Sequence, residues 1–209
     1  MAFATALLRL RSHLPPAAWP AVLAWLQVHP VLVRVSTSRR TKLGDYRTAD
    51  RTRPHRISVN EDLNPYAFLV VLVHEFAHYT TFSRYRRHEP HGREWKAEYR
   101  RLMQPYLSQA VFPGDVLAAL DRHLTDAPSS SCTDPHLMRT MRRYDPAPQT
   151  FLEELEERTV FRFQRKLFVK GPQLRKRFRC KCLNDSRMYL ITSTAEVQVE
   201  QAGPVRMAS

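Results

Sequence analysis

The chain has 209 residues, enough for one or two domains, and 43% of them are hydrophobic, which is typical of a globular protein. The net charge of +13 favours anionic partners such as nucleic acid but does not indicate a fold. The longest apolar run, Tyr66–Val73, is much shorter than the roughly 20 residues that a membrane-spanning helix needs, so we expect no membrane association. Three cysteines are too few for a disulfide framework and no long apolar leader opens the chain, so we expect a cytoplasmic protein.

The first part of the chain alternates helical and strand patterns. Asn64-Pro65 is a strong helix start, because Asn caps a helix well and Pro is favoured in its first turn. The predicted helices are Ala4–Leu14, Ala18–Gln27, Asn64–Phe82, Gly92–Gln104, Pro113–Leu124 and Asp134–Tyr144. The predicted strands are Val31–Ser36, Lys42–Arg47 and His55–Asn60, and Asp126–Thr133 is predicted as a loop.

The pattern changes at Asp145-Pro146-Ala147-Pro148, after which the helical period disappears. The strands predicted beyond this point are Thr159–Phe163, Leu167–Lys170, Leu174–Leu183 and Arg187–Val199. The sequence therefore predicts an α+β domain over residues 1–145, followed by a small all-β module over residues 149–202.

The motif that carries chemistry is H-E-x-x-H, at His74-Glu75-Phe76-Ala77-His78. On a helix, positions i and i+4 share one face, so both imidazoles can reach one zinc ion. Glu75 projects to the side of that pair, where it can contact a water on the metal without being a ligand. The spacing predicts a zinc-dependent hydrolase with Glu75 as the general base.

A catalytic zinc needs a third protein ligand. The segment that follows the motif helix offers His88 and His91, and the next predicted helix offers Glu94 and Glu98. We favour His91, which stands just before that helix, where the chain has turned back toward the motif. His88, Glu94 and Glu98 remain alternatives at this stage.

His74-Glu75-Phe76-Ala77-His78, followed by His91-Gly92-x-x-Trp95, resembles the SprT-like zinc metalloproteases. The resemblance covers about Val31 to Tyr106 and includes the runs Thr41–Arg47 and Arg56–Asn60. It implies a zincin-like domain in which the motif helix packs on a small sheet, with His74, His78 and His91 as zinc ligands and Glu75 as the base. Many members carry a four-cysteine zinc ribbon that this chain lacks, and its C-terminal strands are more similar to those of bacterial SprT-like proteins.

The resemblance also implies protein or peptide substrates. Animal members of the family cleave proteins crosslinked to DNA, which makes an association with DNA a candidate role. The alternative is a nucleic-acid-binding protein with a structural or inactive zinc site. Glu75 favours the enzyme, since a purely structural site does not use a carboxylate beside an open coordination position. Tyr99 and the loop Arg84–Arg87 are candidate donors to the oxyanion.

A second candidate site is the predicted strand Leu174–Cys182. Period-2 alternation puts Arg175, Arg177, Arg179 and Lys181 on one face and leaves Phe178, Cys180 and Cys182 on the other. Such a face can contact the phosphates of single-stranded DNA. The alternative is a solvated outer face whose charges protect the strand from pairing with other chains.

Overall fold

The computed structural model describes residues 2–39, 42–125, 134–146 and 150–200, with the backbone alone at residues 2 and 3. Thr41, Cys132, the predicted loop at 126–133, the boundary residues 147–149 and the end of the predicted module lie outside the described residues. The chain divides into two compact units, residues 1–146 and 147–209. The fold is mixed α+β, and none of its described helices combines the length and hydrophobicity that a membrane crossing requires.

The described residues of the N-terminal unit form six α-helices and a three-stranded sheet. The helices are α1 (Ala2–Ser12), α2 (Trp19–Val28), α3 (Pro65–Arg84), α4 (Arg93–Met103), α5 (Gly114–Thr125) and α6 (Pro135–Arg142). The strands are β1 (Val31–Ser36), β2 (Gly44–Arg47) and β3 (His55–Asn60). In the sheet, β3 is central, parallel to β1 and antiparallel to β2, so β1 and β2 are the two edges.

The helix α3 is the centre of this unit, because it packs on β2 and β3 on one side and on α4 on another. Almost every side chain from Ala67 to Ala77 is buried, which explains why this stretch reads as a continuous apolar run. Phe76 stacks on Trp25 of α2 with ring centroids 3.6 Å apart. Burying a side chain of this size contributes about 1.5–3 kcal/mol, so the core holds α3 firmly in place.

The C-terminal unit is a separate antiparallel sheet. Its strands are β4 (Thr150–Phe151), β5 (Val160–Phe163), β6 (Lys166–Val169), β7 (Gln173–Leu174), β8 (Arg177–Cys182), β9 (Met188–Thr192) and β10 (Glu196–Val199). The strand order is β4-β10-β5-β6-β8-β7, with β9 also paired to β8. Phe161, Phe168, Cys180 and Cys182 are buried in its own core.

Two strand predictions in this unit are wrong. The predicted strand Leu174–Leu183 is a hairpin of β7 and β8, because the chain reverses at Arg175-Lys176 and Leu174 pairs with Arg177. Arg175 adopts a left-handed backbone with φ 56°, which a two-residue hairpin turn requires and which Gly or Asn usually supplies. The predicted strand Arg187–Val199 is likewise two strands, β9 and β10. The short strand β4 was not predicted.

Candidate metal centre

The helix α3 begins where the sequence indicates. The Asn64 side chain accepts hydrogen bonds from the backbone N–H groups of Tyr66 and Ala67, at 3.1 and 3.0 Å. Its amide also donates to the carbonyl of Met141 at 2.9 Å, which ties the start of α3 to the end of α6. His74 and His78 therefore lie one turn apart on a helix that is capped and buried.

His91 reaches the same point from the loop before α4. Its backbone is left-handed, with φ 58°, a conformation that His adopts more readily than most residues and that is often found at functional sites. The next residue, Gly92, donates its N–H to the carbonyl of Glu89 at 2.9 Å and closes a turn. This turn directs the His91 ring back onto α3.

The three histidines converge through their Nε2 atoms. The Nε2–Nε2 distances are 3.1 Å from His74 to His78, 3.0 Å from His78 to His91 and 3.2 Å from His91 to His74. Tetrahedral nitrogen ligands 2.0–2.1 Å from one zinc ion lie about 3.3–3.4 Å apart, so this triangle needs little adjustment to fit. The three histidines could hold a metal ion.

The electrostatics of the triad favour uncharged rings. Burial lowers the pKa of His74 to about 2 and the pKa of His78 to about 4, with the neighbouring histidines adding to both shifts. Burial also lowers the pKa of His91. At neutral pH all three rings are therefore neutral, which is the form that binds a metal.

Aromatic side chains of α4 form one wall of the site. The Trp95 ring lies edge-on to His74 and His91, with centroids 4.6 and 4.7 Å away, and is almost fully buried. Tyr99 stacks beneath Trp95 with centroids 5.0 Å apart. This packing restricts the rotation of the histidine rings and keeps water away from one side of the triad.

Glu75, the neighbour of His74 on α3, lies against β2. The backbone N–H of Tyr46 donates to its carboxyl group, and only 6% of the residue is exposed. Burial is the main cause that raises the pKa of Glu75 to about 8, and Asp45 adds to it. A bound dication nearby would lower that pKa again, because it stabilises the carboxylate.

The close approach of β2 to Glu75 depends on Gly44. A Cβ atom at Gly44 would collide with Oε1 of Glu75 and would lie 2.6 Å from Cγ1 of Val71. The absence of a side chain at Gly44 therefore lets the strand lie against the carboxyl group. Gly44 lies within the predicted strand Lys42–Arg47, and an isolated glycine in a strand pattern is the sequence signal of such a close backbone approach.

The structure separates the other candidate ligands from the triad. His88 contacts the carbonyl of Tyr85 through Nδ1 at 3.3 Å. Glu98 is buried and forms ion pairs with Arg84 and Arg101, at 2.8 and 2.7 Å. Among the residues that the structure describes, the metal-binding group contains none of His88, Glu94 and Glu98.

The candidate oxyanion donors differ in exposure. Tyr99 is fully buried, and its ring centroid lies 6.0 Å from that of His74. Arg84 forms an ion pair with Glu98, and Arg86 and Arg87 are exposed. Tyr99 and the loop Arg84–Arg87 stay predictions as oxyanion donors.

Three of the four basic residues predicted on the strand Leu174–Cys182 do lie on one exposed strand face. Along β8, Arg177, Arg179 and Lys181 are exposed and alternate with buried Phe178, Cys180 and Cys182. Arg175 is not on this face, because it lies in the turn between β7 and β8. We call Arg177, Arg179 and Lys181 the basic face of β8. Within the described part of the chain, none of the three has an acidic side chain within 4 Å.

Comparison with known proteins gives one match. The model of the SprT-like family matches residues 24–113, a segment that begins in α2, contains β1 to α4 and ends just before α5. This segment includes His74, Glu75, His78 and His91. No curated protein and no solved structure matches the chain.

Proposed function

Residues 24–113 make this chain a member of the SprT-like family, and on that basis we propose that it is a zinc-dependent endopeptidase with a zincin-like domain. The observation that carries the proposal is the convergence of three neutral imidazoles from α3 and the following loop on one point. We propose His74, His78 and His91 as the zinc ligands. Proteins or peptides would be the substrates.

The mechanism assigns distinct tasks to the residues of this chain. When bound, zinc would lower the pKa of a coordinated water to about 7 and polarise the scissile carbonyl. Glu75 accepts the proton of the attacking water and later delivers it to the leaving amine. The Tyr46 N–H and the packing of Gly44 hold the Glu75 carboxyl group in place. Trp95 fixes the ring planes of His74 and His91.

The direct test is the Glu75→Gln variant. We expect it to bind zinc as the wild type does and to lose casein hydrolysis by about 10²–10⁴-fold, because the amide cannot accept a proton. The matched control is Glu89→Gln, an exposed glutamate of the loop before α4, which should retain activity. Wild-type proteolysis in Glu75→Gln would exclude the general-base role, and loss of zinc with activity would show that Glu75 acts structurally.

A specific observation favours a second function, which is recruitment of single-stranded DNA by the C-terminal unit. The basic face of β8 presents three cations at period-2 spacing, and the described residues supply no acidic partner for them. We propose that this surface brings the protease to DNA-associated substrates. The alternative is a nucleic-acid-binding protein with an inactive or structural zinc site. It predicts DNA binding without any hydrolysis that depends on Glu75.

We propose a cytoplasmic location for this activity. Both cysteines in the described part of the chain, Cys180 and Cys182, are free and buried. Free thiols are typical of a reducing compartment, and this observation supports the proposal.

A further inference from the structure

A cavity of about 490 Å³ lies at the edge of the N-terminal sheet that is remote from Glu75. Its apolar walls come from α1, from the end of α2 and from β1. Leu7 and Leu10 of α1 face Leu26 of α2 and the first residues of β1 across it. None of the proposed zinc ligands lines this cavity, so it is a separate site.

The cavity runs along the open edge of β1. Side chains alternate between the two faces of a strand, yet three successive residues, Val31, Leu32 and Val33, all line the cavity. Because side chains on both faces of β1 line the cavity, we infer that the backbone edge of the strand faces it. In the sheet order β1-β3-β2, that edge has no strand partner among the described residues. An open edge offers backbone N–H and C=O groups to an added strand.

Arginine side chains extend this apolar cavity. A second cavity, of about 380 Å³, is lined by Leu32, Arg34, Arg53, Pro54 and Arg56, and it shares Leu32 and Pro54 with the first. None of the three guanidinium groups is within ion-pair distance of a described acidic side chain. Asp50 accepts the backbone N–H groups of Thr52 and Arg53, at 2.8 and 3.0 Å, and so fixes the loop that carries Arg53.

We propose that the edge of β1 binds an extended segment of a partner protein in which acidic and apolar residues alternate. The segment adds to β1 as a further strand. Its apolar side chains enter the cavity beside Leu7 and Leu26, and its carboxylates contact Arg34, Arg53 and Arg56. Alternation in the ligand matches the alternation of β1, where Arg34 and Val33 point to opposite faces.

Three features favour a peptide over other anions. The phosphates of nucleic acid could bind the arginines, but nucleic acid has no side chain suited to a concave, mostly aliphatic cavity. A lipid surface is broad and would contact protruding apolar groups rather than a recess. Only a peptide uses the cavity, the arginines and the backbone edge of β1 together.

The test measures fluorescence anisotropy of a labelled hexapeptide that alternates Glu and Leu, added to the full-length protein at low salt. We expect saturable binding that Arg34→Glu/Arg53→Glu weakens at least about tenfold, because repulsion replaces attraction at both positions. Ala6→Trp, which fills the cavity from α1, should weaken it similarly. Arg87→Glu/Arg122→Glu, which reverses two exposed arginines that line neither cavity, is the matched control and should bind as the wild type does.

Circular dichroism and zinc content establish that each variant is folded. If Arg34→Glu/Arg53→Glu does not fold, Arg34→Ala/Arg53→Ala is measured in its place. The proposal is overturned if the hexapeptide does not bind, or if the Arg34 and Arg53 variants bind it as well as Arg87→Glu/Arg122→Glu does. It is also overturned if Ala6→Trp leaves binding unchanged. Binding of oligothymidylate or anionic vesicles in place of the peptide would assign the arginines to a different partner.

Discussion

At the scale of single residues, the site consists of groups that burial keeps neutral. Burial disfavours the charged forms of His74, His78 and Glu75 alike, so their pKa values move in opposite directions. The three Nε2 atoms lie 3.0–3.2 Å from one another. In the tautomer that leaves Nε2 unprotonated, all three rings offer a lone pair to one cation at their centre.

The choice between His91 and His88 as the third ligand gives a prediction. We expect one zinc per chain in the wild type and at least about 100-fold weaker zinc binding in His91→Ala, because one of three ligands is lost. His88→Ala should bind zinc as the wild type does. Metal analysis after dialysis against a calibrated chelator measures both. Loss of zinc in His88→Ala with retention in His91→Ala would reverse the assignment.

The metal-free protein should lose stability on mild acidification. Burial lowers the pKa of His78 from its ordinary value of 6.5 to about 4, and it also lowers the pKa of His123, although Asp134 opposes that shift. Between pH 6.5 and 4 these imidazoles bind more protons in the unfolded chain than in the folded protein. Glu75, whose raised pKa acts in the opposite sense, is outnumbered by the four histidines with lowered pKa values, His74, His78, His91 and His123, so the free energy of unfolding falls as the pH falls.

Thermal unfolding in the presence of a chelator, at several pH values across this range, measures the effect. His123→Asn removes one titrating group and preserves a donor to Asp134, so its unfolding temperature should depend less steeply on pH. An unfolding temperature that does not change with pH would contradict the claim that these histidines are buried in neutral form.

At the scale of elements, the contact between β2 and α3 positions the general base. We expect Gly44→Ala to reduce proteolysis and to destabilise the protein by about 1–3 kcal/mol, because the added methyl group overpacks against Glu75 and Val71. Zinc binding should persist, since the histidines face α4. The matched control is Gly114→Ala at the start of α5, where a Cβ meets nothing within 4 Å.

Chemical denaturation and casein hydrolysis, measured on both glycine variants, test this account. Gly114→Ala should keep full activity. If Gly44→Ala retained wild-type activity and stability, the close approach of β2 would have no role in placing Glu75.

The elements that the sequence predicted well are those with strong local signals. The strands Val31–Ser36 and His55–Asn60 have their predicted bounds, because β-branched residues alternate along them. The Asn64 cap fixed the start of α3 to the residue. The β7–β8 reversal was missed because Arg175-Lys176 contains no turn residue, so the basic alternation continued through the turn.

The candidate metal site was predictable where its residues are close in sequence and was not predictable where contacts join distant residues. The i, i+4 spacing of His74 and His78 is visible in the sequence, and it predicts that both side chains lie on one face of the helix. Glu98 is not a metal ligand in the structure because it forms ion pairs with Arg84 and Arg101. The pair with Arg84 joins two helices, so the sequence alone does not predict it. The contact of Gly44 with Glu75 joins residues far apart in sequence. A glycine in a strand pattern indicates a close approach but does not identify the residue that approaches.

At the scale of the whole molecule, the positive charge is concentrated in two parts of the chain. Residues 1–60 carry ten basic and two acidic side chains, residues 151–209 carry twelve and seven, and residues 61–150 carry eleven of each. The histidine triad thus lies in the electrically balanced part. Long-range attraction of anions is then a property of the flanking surfaces rather than of the proposed zinc site.

The basic face of β8 gives the prediction for the whole chain. Because Arg175 lies in the turn, three phosphate contacts remain on this face. Each contact with single-stranded DNA contributes roughly −0.7 to the slope of log K against log salt concentration, so we expect a slope near −2. Reversing Arg177, Arg179 and Lys181 to Glu should flatten this slope and weaken binding. Zinc content and cleavage of a DNA-free peptide should not change, because these side chains lie outside the proposed zinc site.

The matched control reverses Arg158, Arg165 and Arg187, three exposed arginines of the same unit that are not on β8. This variant has the same net charge change but an intact basic face, so it should keep most of the salt slope. Equal weakening in both variants would mean that the chain attracts DNA through its net charge alone. Unchanged binding in the β8 variant would leave the basic residues of the N-terminal segment, Arg34 to Arg56, as the DNA contact, since residues 1–60 hold the other excess of positive charge.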